Sequence, residues 1–513
     1  MAKRSRTEYS ILNIVTGLGG YVLNTVLGLV CRMFFARTLN ADYLGINGLF
    51  SNILSMLSLA ELGIGTAIVY ALYKPLAEND EEKIATLVQF YGKCYRIIGI
   101  VVGALGLAML PFFDFLIPQQ PAIKENLSVI YCVYLFNTAS SYFFSYRGSL
   151  ISASQRHYIV MGINYVVTIV ESALQIVWLL VTHEYYGYLI IKTVGVLVNN
   201  IAISVIAKKE YPYIAGKKIK PLEKEEKASL IRNVRALVIW KISGKLVNST
   251  DNMIITYFNG LIAVGLTSNY TLLSGTLASL LDLLFGGVKS SIGNLNAIES
   301  KEKQMSIFYN INFANFWLYG WSAIGIAVVS SDIVQLLFGE KYVLPALIPC
   351  ALALNYYMVG IQNTVWAYQQ TMGLFRQGRY LLFVTAGFNL VLSIWLGKLW
   401  GLFGILFATA ISRLLTNYWY DPFKVFKYGF GTAVMPYYMR RIGYTLLVFG
   451  TGTLCYVVSH LYDGPILVNC IYKFLACTII PNGVFFLLFH KSSEFQYFKA
   501  LPGRILKKIR SRA

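Results

Sequence analysis

The chain has 513 residues, of which 56% are hydrophobic and 13% charged, and its mean hydropathy is +0.57. A soluble globular protein carries about a quarter charged residues, so these values exclude a single soluble fold and a disordered chain. In a soluble protein, a net charge of +20 would suggest a nucleic-acid partner. In a membrane protein, basic cytoplasmic loops are the explanation to consider first. The composition therefore predicts an all-α integral membrane protein.

Fourteen apolar runs follow one another along the chain, each long enough to cross a bilayer. The first run follows the basic start MAKRSR and is too long for the apolar region of a signal peptide, so it is predicted to be an uncleaved span. We expect about 14 transmembrane helices, in two pseudo-symmetric six-helix lobes plus two C-terminal helices. The runs lie near 11–31, 46–72, 97–117, 127–146, 158–181, 186–206, 236–258, 261–285, 307–330, 343–370, 380–399, 402–420, 442–460 and 465–489.

Lysine and arginine are distributed unevenly between the connections. The termini and the even-numbered connections carry 35 of them, the odd-numbered connections carry five, and four lie within the runs. Because basic residues are retained in the cytoplasm, both termini are predicted to be cytoplasmic. Topology explains most of the positive charge, so we expect no nucleic-acid partner. The basic tail Arg504–Arg512 is expected to contact anionic membrane lipids.

The chain shows a division into two halves. The polar segment 207–235 separates six runs from eight, and YLGINGLFSNIL at 43–54 is similar to AVGLTSNYTLL at 263–273, with Gly45 opposite Gly265. Parallel repeats are typical of transporters, although chance similarity between apolar helices is the alternative. The predicted parts are an N-lobe (1–206), a basic cytoplasmic linker (207–235), a C-lobe (236–420), and a last pair of spans with a basic tail (421–513).

The seventh run is unusually polar for a span. A charged side chain at the centre of a span costs about 2.5–3.5 kcal/mol, so a helix with Lys241, Lys245 and Asp251 cannot face lipid. At 100° per residue, the two lysines, Asn248 and Asn252 fall within about 60° of one another, and Asp251 lies at the edge of that stripe. We predict that this stripe lines a wet cavity. The alternative is Lys–Asp pairing that only holds the bundle together.

Further ionisable residues lie in or near other runs, and most of them are basic. Cations in a cavity of low dielectric suit an anionic ligand such as a phosphate or diphosphate. Carboxylates in spans suit a coupling ion, with a structural ion pair as the alternative for Glu61. Trp366 is a candidate for stacking on a sugar ring, although a core position is the more common role for such a residue. The predicted cavity residues are Arg32, Lys192, Lys241, Lys245, Asn248 and Asn252, and the predicted ion-coupling residues are Glu61, Glu171 and Asp251.

Several catalytic signatures are missing from the sequence. It contains no GxxxxGK[ST], HExxH, DxD or GxSxG pattern, and its seven cysteines form no CxxC pair. We therefore predict no catalytic residues, no metal site and no cofactor, and a transport role instead of an enzymatic one. A proton or a sodium ion would be the coupling ion.

Three stretches, at 34–84, 246–270 and 389–412, resemble the polysaccharide transporter family, the Wzx-type flippases of lipid-linked oligosaccharides within the multidrug/oligosaccharidyl-lipid/polysaccharide exporter superfamily. The first contains FFARTLNADYLGINGLFSNIL and is the most specific. The resemblance implies two six-helix lobes around a cationic cavity that opens alternately to each side. It also implies that Arg32, Lys241 and Lys245 would match the basic cavity residues and Glu61 the acidic coupling residue.

The substrate that the resemblance implies is an undecaprenyl-diphosphate-linked oligosaccharide, moved across the bacterial cytoplasmic membrane for O-antigen, capsule or exopolysaccharide assembly. Polysaccharide polymerase and chain-length proteins would be partners. A cation-coupled multidrug antiporter of the same fold is the main alternative, but it would need an acidic or apolar cavity. A membrane oligosaccharide polymerase is a weaker alternative, because the odd-numbered connections are too short to hold a catalytic domain.

Overall fold

A computed structural model describes residues 6–58, 71–73, 75–76, 78–118, 121–154, 156–215, 228, 250–298, 300–374, 377–378 and 380–500. Within these ranges the chain is helical and contains no strand. Nine helices of this part are long and apolar enough to cross a membrane, and a tenth span forms if α5 and α6, bent by 42° relative to each other, are taken together. The prediction of an all-α membrane protein is therefore confirmed.

The described part contains 15 α-helices. They are α1 (Arg6–Thr38), α2 (Ala41–Leu57), α3 (Glu81–Leu107), α4 (Phe113–Leu116), α5 (Leu127–Ser141), α6 (Ser145–Ala153), α7 (His157–Thr182), α8 (Tyr185–Glu210), α9 (Asp251–Ile298), α10 (Lys301–Phe338), α11 (Leu347–Thr371), α12 (Leu381–Leu415), α13 (Asn417–Lys424), α14 (Met435–Ser459) and α15 (Ile466–Phe489).

Two of these helices each extend across the gap between two predicted apolar runs, although α9, which begins at Asp251, includes only the end of the seventh run. Gly260, with a φ of 78°, interrupts α9 between the seventh and eighth runs, and Gly401, with a φ of 57°, interrupts α12 between the eleventh and twelfth. Glycine alone adopts these positive φ values without a steric penalty, so the chain can change direction at a single residue between two runs. A Cβ atom on Gly404 would lie 2.0 Å from the carbonyl oxygen of Leu396, so the two arms of α12 pack backbone to backbone.

The chain divides into two compact units, Met1–Gly265 and Leu266–Ala513. The tail beyond residue 500 and the larger part of the predicted linker 207–235, from 216 onward apart from residue 228, lie outside the described residues, so the predicted domain boundaries stay predictions. Unit 1 contains α1–α8 and the first part of α9. Unit 2 contains the rest of α9 and α10–α15.

Small residues on α1 explain how it packs in unit 1. A Cβ atom on Gly20 would overlap the ring of Tyr165, and Tyr165 donates a hydrogen bond of 3.0 Å to the carbonyl of Thr16. Gly17 faces Met161 in the same way, with a Cβ contact of 3.7 Å. The glycine stripe of the first run therefore lets α1 approach α7 closely, as small residues do between membrane helices.

The two glycines that the internal similarity matched lie against each other in unit 1. A Cβ atom on Gly265 would be 2.9 Å from the backbone nitrogen of Gly45, and one on Gly45 would be 2.0 Å from the carbonyl oxygen of Leu261. Helix α2 therefore crosses the start of the second arm of α9 at the paired positions. This crossing is called the Gly45–Gly265 crossing below.

Aromatic and aliphatic side chains fill the core of unit 2. Helix α10 is its centre and packs against α11, α14 and α15. Phe316 on α10 is fully buried and stacks on Tyr444 of α14, with ring centroids 4.0 Å apart. Because α14 and α15 pack against α10, the predicted pair of C-terminal helices is an integral part of this unit.

Candidate functional site

Polar side chains from α1, α7 and α8 meet inside unit 1. The unit 1 polar cluster consists of Cys31, Glu171, Gln175, Tyr188 and Lys192, of which Glu171 and Lys192 are predicted site residues. Cys31, Gln175 and Tyr188 are only 7%, 4% and 8% exposed. Cys31 Sγ donates to Gln175 Oε1 over 3.4 Å, and Gln175 Nε2 donates to the carbonyl of Tyr188 over 3.4 Å. These bonds hold the three helices together around the two charged residues.

A glycine on α8, Gly195, determines where the Glu171 carboxylate lies. A Cβ atom on Gly195 would be 2.2 Å from Glu171 Oε2, so the carboxylate rests directly on the α8 backbone. Gly195 follows Lys192 by about one helical turn, which brings opposite charges to one stretch of α8. The two charges interact, yet no N–O distance of 4.0 Å or less joins them in an ion pair within the described part of the chain.

Lys192 has an aromatic neighbour in place of a directly paired carboxylate. Its Nζ lies 5.0 Å from the centre of the Tyr134 ring, which is within the range of a cation–π contact. The Tyr134 hydroxyl is in turn hydrogen-bonded to the Tyr185 hydroxyl at 3.1 Å. A cation–π contact uses the charge of the ammonium but leaves N–H donors that can reach an anionic ligand.

Tyrosines extend from this cluster toward the segment before α5. Tyr185 is completely buried, and its ring centroid lies 4.7 Å from that of Tyr43. The Tyr43 hydroxyl donates to the Glu125 carboxylate. The sequence identified Lys192 but not its contact with Tyr134. The periodicity contains no signal that pairs residues on α5 and α8.

Seven other predicted site residues lie between positions 32 and 252, and the structure describes three of them. Arg32 follows Cys31 on α1 and is half-buried. Asp251 and Asn252 lie in the first turn of α9 and are half-buried, and the carbonyl of Asn252 accepts a hydrogen bond of 2.7 Å from Thr256 Oγ1. Glu61, Lys241, Lys245 and Asn248 lie outside the described residues, so their roles stay predictions.

Helix α11 has a polar face, which includes the predicted sugar-contact residue Trp366 and is used for packing inside unit 2. Asn355 Nδ2 donates to the carbonyl of Leu406 over 2.8 Å, and Gln362 Nε2 donates to the carbonyl of Asn417 over 3.0 Å. The indole N–H of Trp366 donates to Asp421 Oδ2 over 3.0 Å. These bonds join α11 to α12 and α13, and the sugar-contact role of Trp366 stays a prediction.

A second polar group in unit 2 has an exposed carboxylate. Asn363 Nδ2 donates to the Tyr319 hydroxyl over 2.8 Å and to Asp282 Oδ1 over 3.3 Å. The Tyr319 hydroxyl approaches the same carboxylate oxygen at 3.5 Å. Gly360 makes this possible, because a Cβ atom there would lie 2.0 Å from the Tyr319 ring. Asp282 is not among the predicted site residues, and the sequence contains no signal for its partners on α10 and α11.

No protein-family model matches the chain. A curated relative, an uncharacterised membrane protein of Methanocaldococcus jannaschii, is 20% identical over 507 residues, covering 94% of this chain and 95% of the relative. The relative is described as a membrane protein, and the nine long apolar helices in the described part of this chain support a multi-pass membrane protein.

Three solved structures are similar to the chain over most of its length. A lipid II flippase, MurJ in an inward closed conformation, has a TM-score of 0.64 at 14% identity and covers 92% of this chain and 99% of its own. An inward-facing multidrug resistance transporter of the MATE family has a TM-score of 0.57 at 14% identity, covering 80% and 98%. A transporter of the MOP superfamily from Pyrococcus furiosus has a TM-score of 0.53 at 12% identity, covering 82% and 96%. The chain therefore has the fold that these transporters share.

Proposed function

We propose that the protein is a flippase that moves undecaprenyl-diphosphate-linked oligosaccharide units across the bacterial cytoplasmic membrane by alternating access, for the assembly of a surface polysaccharide. The observation that carries this proposal is the similarity to a lipid II flippase, which covers 99% of that flippase and 92% of this chain. The Wzx-type specificity rests on the sequence resemblance at 34–84.

The extent of the structural match supports a flippase over a drug transporter. The multidrug transporter covers 80% of this chain, against 92% for the flippase. The flippase also has the higher TM-score, 0.64 against 0.57. A function like that of the structure that matches more of the chain therefore fits the chain better.

The charge in unit 1 supports an anionic substrate. Lys192 lies within the membrane span α8 and has an aromatic contact without a direct ion pair in the described ranges. An ammonium in a medium of low dielectric attracts a diphosphate strongly. Lys241 and Lys245 would add two cations to the same purpose if their predicted stripe faces the substrate.

The physical task of the protein follows from the substrate. Sugar hydroxyls and a diphosphate cannot enter hydrocarbon without losing their water, whereas the polyprenyl chain can stay in the bilayer. Fixed cations replace the lost water around the diphosphate. Reversible binding of a proton or sodium ion at Glu171, Glu61 or Asp251 would then bias the exposure of the groove toward one side of the membrane.

The direct test is surface glycan export in a strain that lacks the native gene and carries Lys241→Ala/Lys245→Ala. We expect export to stop while the variant remains inserted at normal abundance. Lys341→Ala/Lys398→Ala is the matched control, because it removes two exposed lysines that the charge count places on the outer side of the membrane. This variant should export normally. Normal export by the first variant would contradict the proposal.

A cation-coupled multidrug antiporter is the second candidate. The MATE transporter matches over 98% of its own length, and the exposed Asp282 carboxylate beside Asn363 could attract a cationic drug. This candidate predicts that cells expressing the protein resist cationic dyes and that Asp282→Asn abolishes the resistance. The flippase proposal predicts no dye resistance, and an accumulated lipid-linked glycan in the deletion strain.

A further inference from the structure

A basic cavity lies in unit 1 and shares no residue with the unit 1 polar cluster. It has a volume of about 320 Å³ and lies between α3, α6, α8 and the single turn Pro212–Ala215. Gly92 forms part of its wall and lets α3 approach α6, since a Cβ atom there would be 3.1 Å from the Tyr146 ring. The polar side chains that line it are Gln89, Lys93, Arg96, Tyr146, Arg147 and Lys208.

Four of these side chains are cations, and none of the residues that line the cavity is acidic. Arg147 is positioned by a hydrogen bond from its Nη1 to Ser204 Oγ and lies 5.2 Å over the Tyr146 ring. Lys93, Arg96 and Lys208 are exposed. The nearby carboxylate of Glu210 is already paired with Arg156. In the part of the chain that the structure describes, the four cations therefore have no carboxylate at 4.0 Å or less.

Two rows of exposed apolar side chains end at this cavity. On α8 the row runs through Ile190, Val194, Val198, Ile201 and Val205, which are 47–60% exposed, and Lys208 continues it. On α3, Ile97, Ile100 and Leu105 are 62%, 64% and 52% exposed, and Arg96 and Lys93 continue that side toward the helix start.

Long rows of exposed apolar residues on membrane helices face lipid, so the membrane boundary falls where each row becomes basic. The charge count predicts that this boundary is the cytoplasmic one. A side chain at that level meets phospholipid headgroups, and basic pockets between membrane helices on this side are suited to them. We propose that the cavity binds the phosphate of an anionic phospholipid headgroup in the cytoplasmic leaflet.

The chemistry favours a headgroup with a net negative charge. Arg96 and Arg147 can donate paired N–H bonds to phosphate oxygens, and Lys93 and Lys208 add point charges. A zwitterionic headgroup would bring a quaternary ammonium among four cations. The site is separate from the transport proposal, because none of its residues is assigned to the groove.

The test is native mass spectrometry of the purified full-length protein titrated with phosphatidylglycerol or phosphatidylcholine. Lys93→Gln/Arg96→Gln/Lys208→Gln removes three of the cations and keeps Arg147, whose bond to Ser204 joins α6 to α8. Each surface cation contributes about fivefold to binding an anionic lipid, so this variant should bind phosphatidylglycerol about 100-fold more weakly. Lys208→Gln alone should weaken binding about fivefold, which keeps the test informative if the triple variant is unstable.

Lys209→Gln/Lys491→Gln/Lys499→Gln is the matched control, because it removes three exposed lysines that lie outside the cavity. We expect it to bind phosphatidylglycerol like the unchanged protein. Equal binding by the two triple variants would overturn the proposal, as would equal affinity for phosphatidylcholine. Displacement of phosphatidylglycerol by millimolar inorganic phosphate would also overturn it, because the cavity would then be a site for a soluble anion.

Discussion

Two lysines inside unit 2 form close ion pairs, whereas Lys192 and Glu171 of the unit 1 polar cluster form none in the described part of the chain. In unit 2, Lys424 and Asp421 are 2.8 Å apart with side chains 2% and 6% exposed, and Lys473 lies 2.8 Å from Asp332. In unit 1, Lys192 contacts an aromatic ring and Glu171 rests on a glycine backbone. The same kinds of side chain therefore serve different purposes in the two units.

The contrast indicates which charged residues hold the fold and which can act on a ligand. A buried charge needs a partner or its desolvation is too costly, so a paired residue is committed to its neighbour. Neutral hydrogen-bond acceptors can hold a buried charge in the same way. Arg441 is 3% exposed and donates to Gln362 and to the carbonyl of Tyr418. Lys192 has no close ion pair in the described residues, and the proposed function assigns its charge to a substrate.

The largest expected loss of stability follows from breaking a buried ion pair of unit 2. Asp421→Ala leaves Lys424 buried without its partner and removes the acceptor of the Trp366 indole N–H. Loss of one partner of a buried ion pair costs about 3–5 kcal/mol of stability, so the variant should unfold at a much lower temperature in detergent. The isosteric double variant Asp421→Leu/Lys424→Met should recover most of that loss. Equal stability of Asp421→Ala and the unchanged protein would show that this pair does not hold unit 2 together.

The next largest loss of stability is expected at the Gly45–Gly265 crossing, which tests whether this part of unit 1 is tightly packed. Gly45→Ala places a Cβ atom 2.0 Å from the carbonyl of Leu261 and forces the Gly45–Gly265 crossing apart. Overpacking of this kind costs about 1–3 kcal/mol, which thermal unfolding would detect. Gly28→Ala is the control, because no atom lies within 4 Å of its added Cβ and alanine is the better helix former. A destabilisation of the same size in both variants would argue against a close crossing.

A smaller change in stability is expected at the unpaired carboxylate. Glu171→Gln keeps the shape of the side chain against Gly195 and removes a charge that no close ion pair in the described ranges uses. The unfolding temperature should change far less than in Asp421→Ala, while the dependence of transport on pH or sodium should change. Transport measured across pH and sodium gradients would check this. An unfolding loss as large as that of Asp421→Ala would place Glu171 among the structural charges.

The smallest effect concerns the carboxyl of Glu494, which follows the last apolar helix α15. Burial opposes ionisation of Glu494, but hydrogen bonds from its own backbone N–H and from Ser493, together with Arg440 at 2.7 Å, lower the pKa of its carboxyl. The stabilisation is complete above the ordinary glutamate pKa of about 4.3 and is lost as the pH falls through the lower folded value.

Because Arg440 is half-exposed, this contribution is at most about 1 kcal/mol. Glu494→Gln should therefore show a slightly smaller loss of unfolding temperature on acidification below pH 4 than the unchanged protein. Identical acid profiles would mean that the Arg440–Glu494 contact does not contribute to stability.

The positions of the helices could be predicted from the sequence, because apolar length and the need to satisfy backbone hydrogen bonds leave a membrane segment few alternatives. The runs at 158–181 and 465–489 correspond to α7 and α15 within a few residues. The gaps between predicted runs at 259–260 and 400–401 contain Gly260 and Gly401, although composition does not give the backbone angles of these two glycines.

The candidate site could be predicted only in part. The helical stripes identified Glu171 and Lys192 as polar residues of spans, because a charge in hydrocarbon is conspicuous in any sequence. The stripe on α11 had the same appearance, yet its amides donate to the carbonyls of Leu406 and Asn417. Periodicity identifies a polar face but not the neighbouring helix, so it cannot distinguish a packing contact from a ligand contact.

The most direct measurement is translocation of a fluorescent undecaprenyl-diphosphate oligosaccharide in proteoliposomes. The unchanged protein should accelerate translocation over protein-free vesicles. Lys192→Gln should slow it at least about tenfold, because it removes a charged hydrogen-bond donor from a medium of low dielectric. The paired-lysine control Asp332→Leu/Lys473→Met should leave it near normal. No acceleration by the unchanged protein, or an equal rate with Lys192→Gln, would contradict the account.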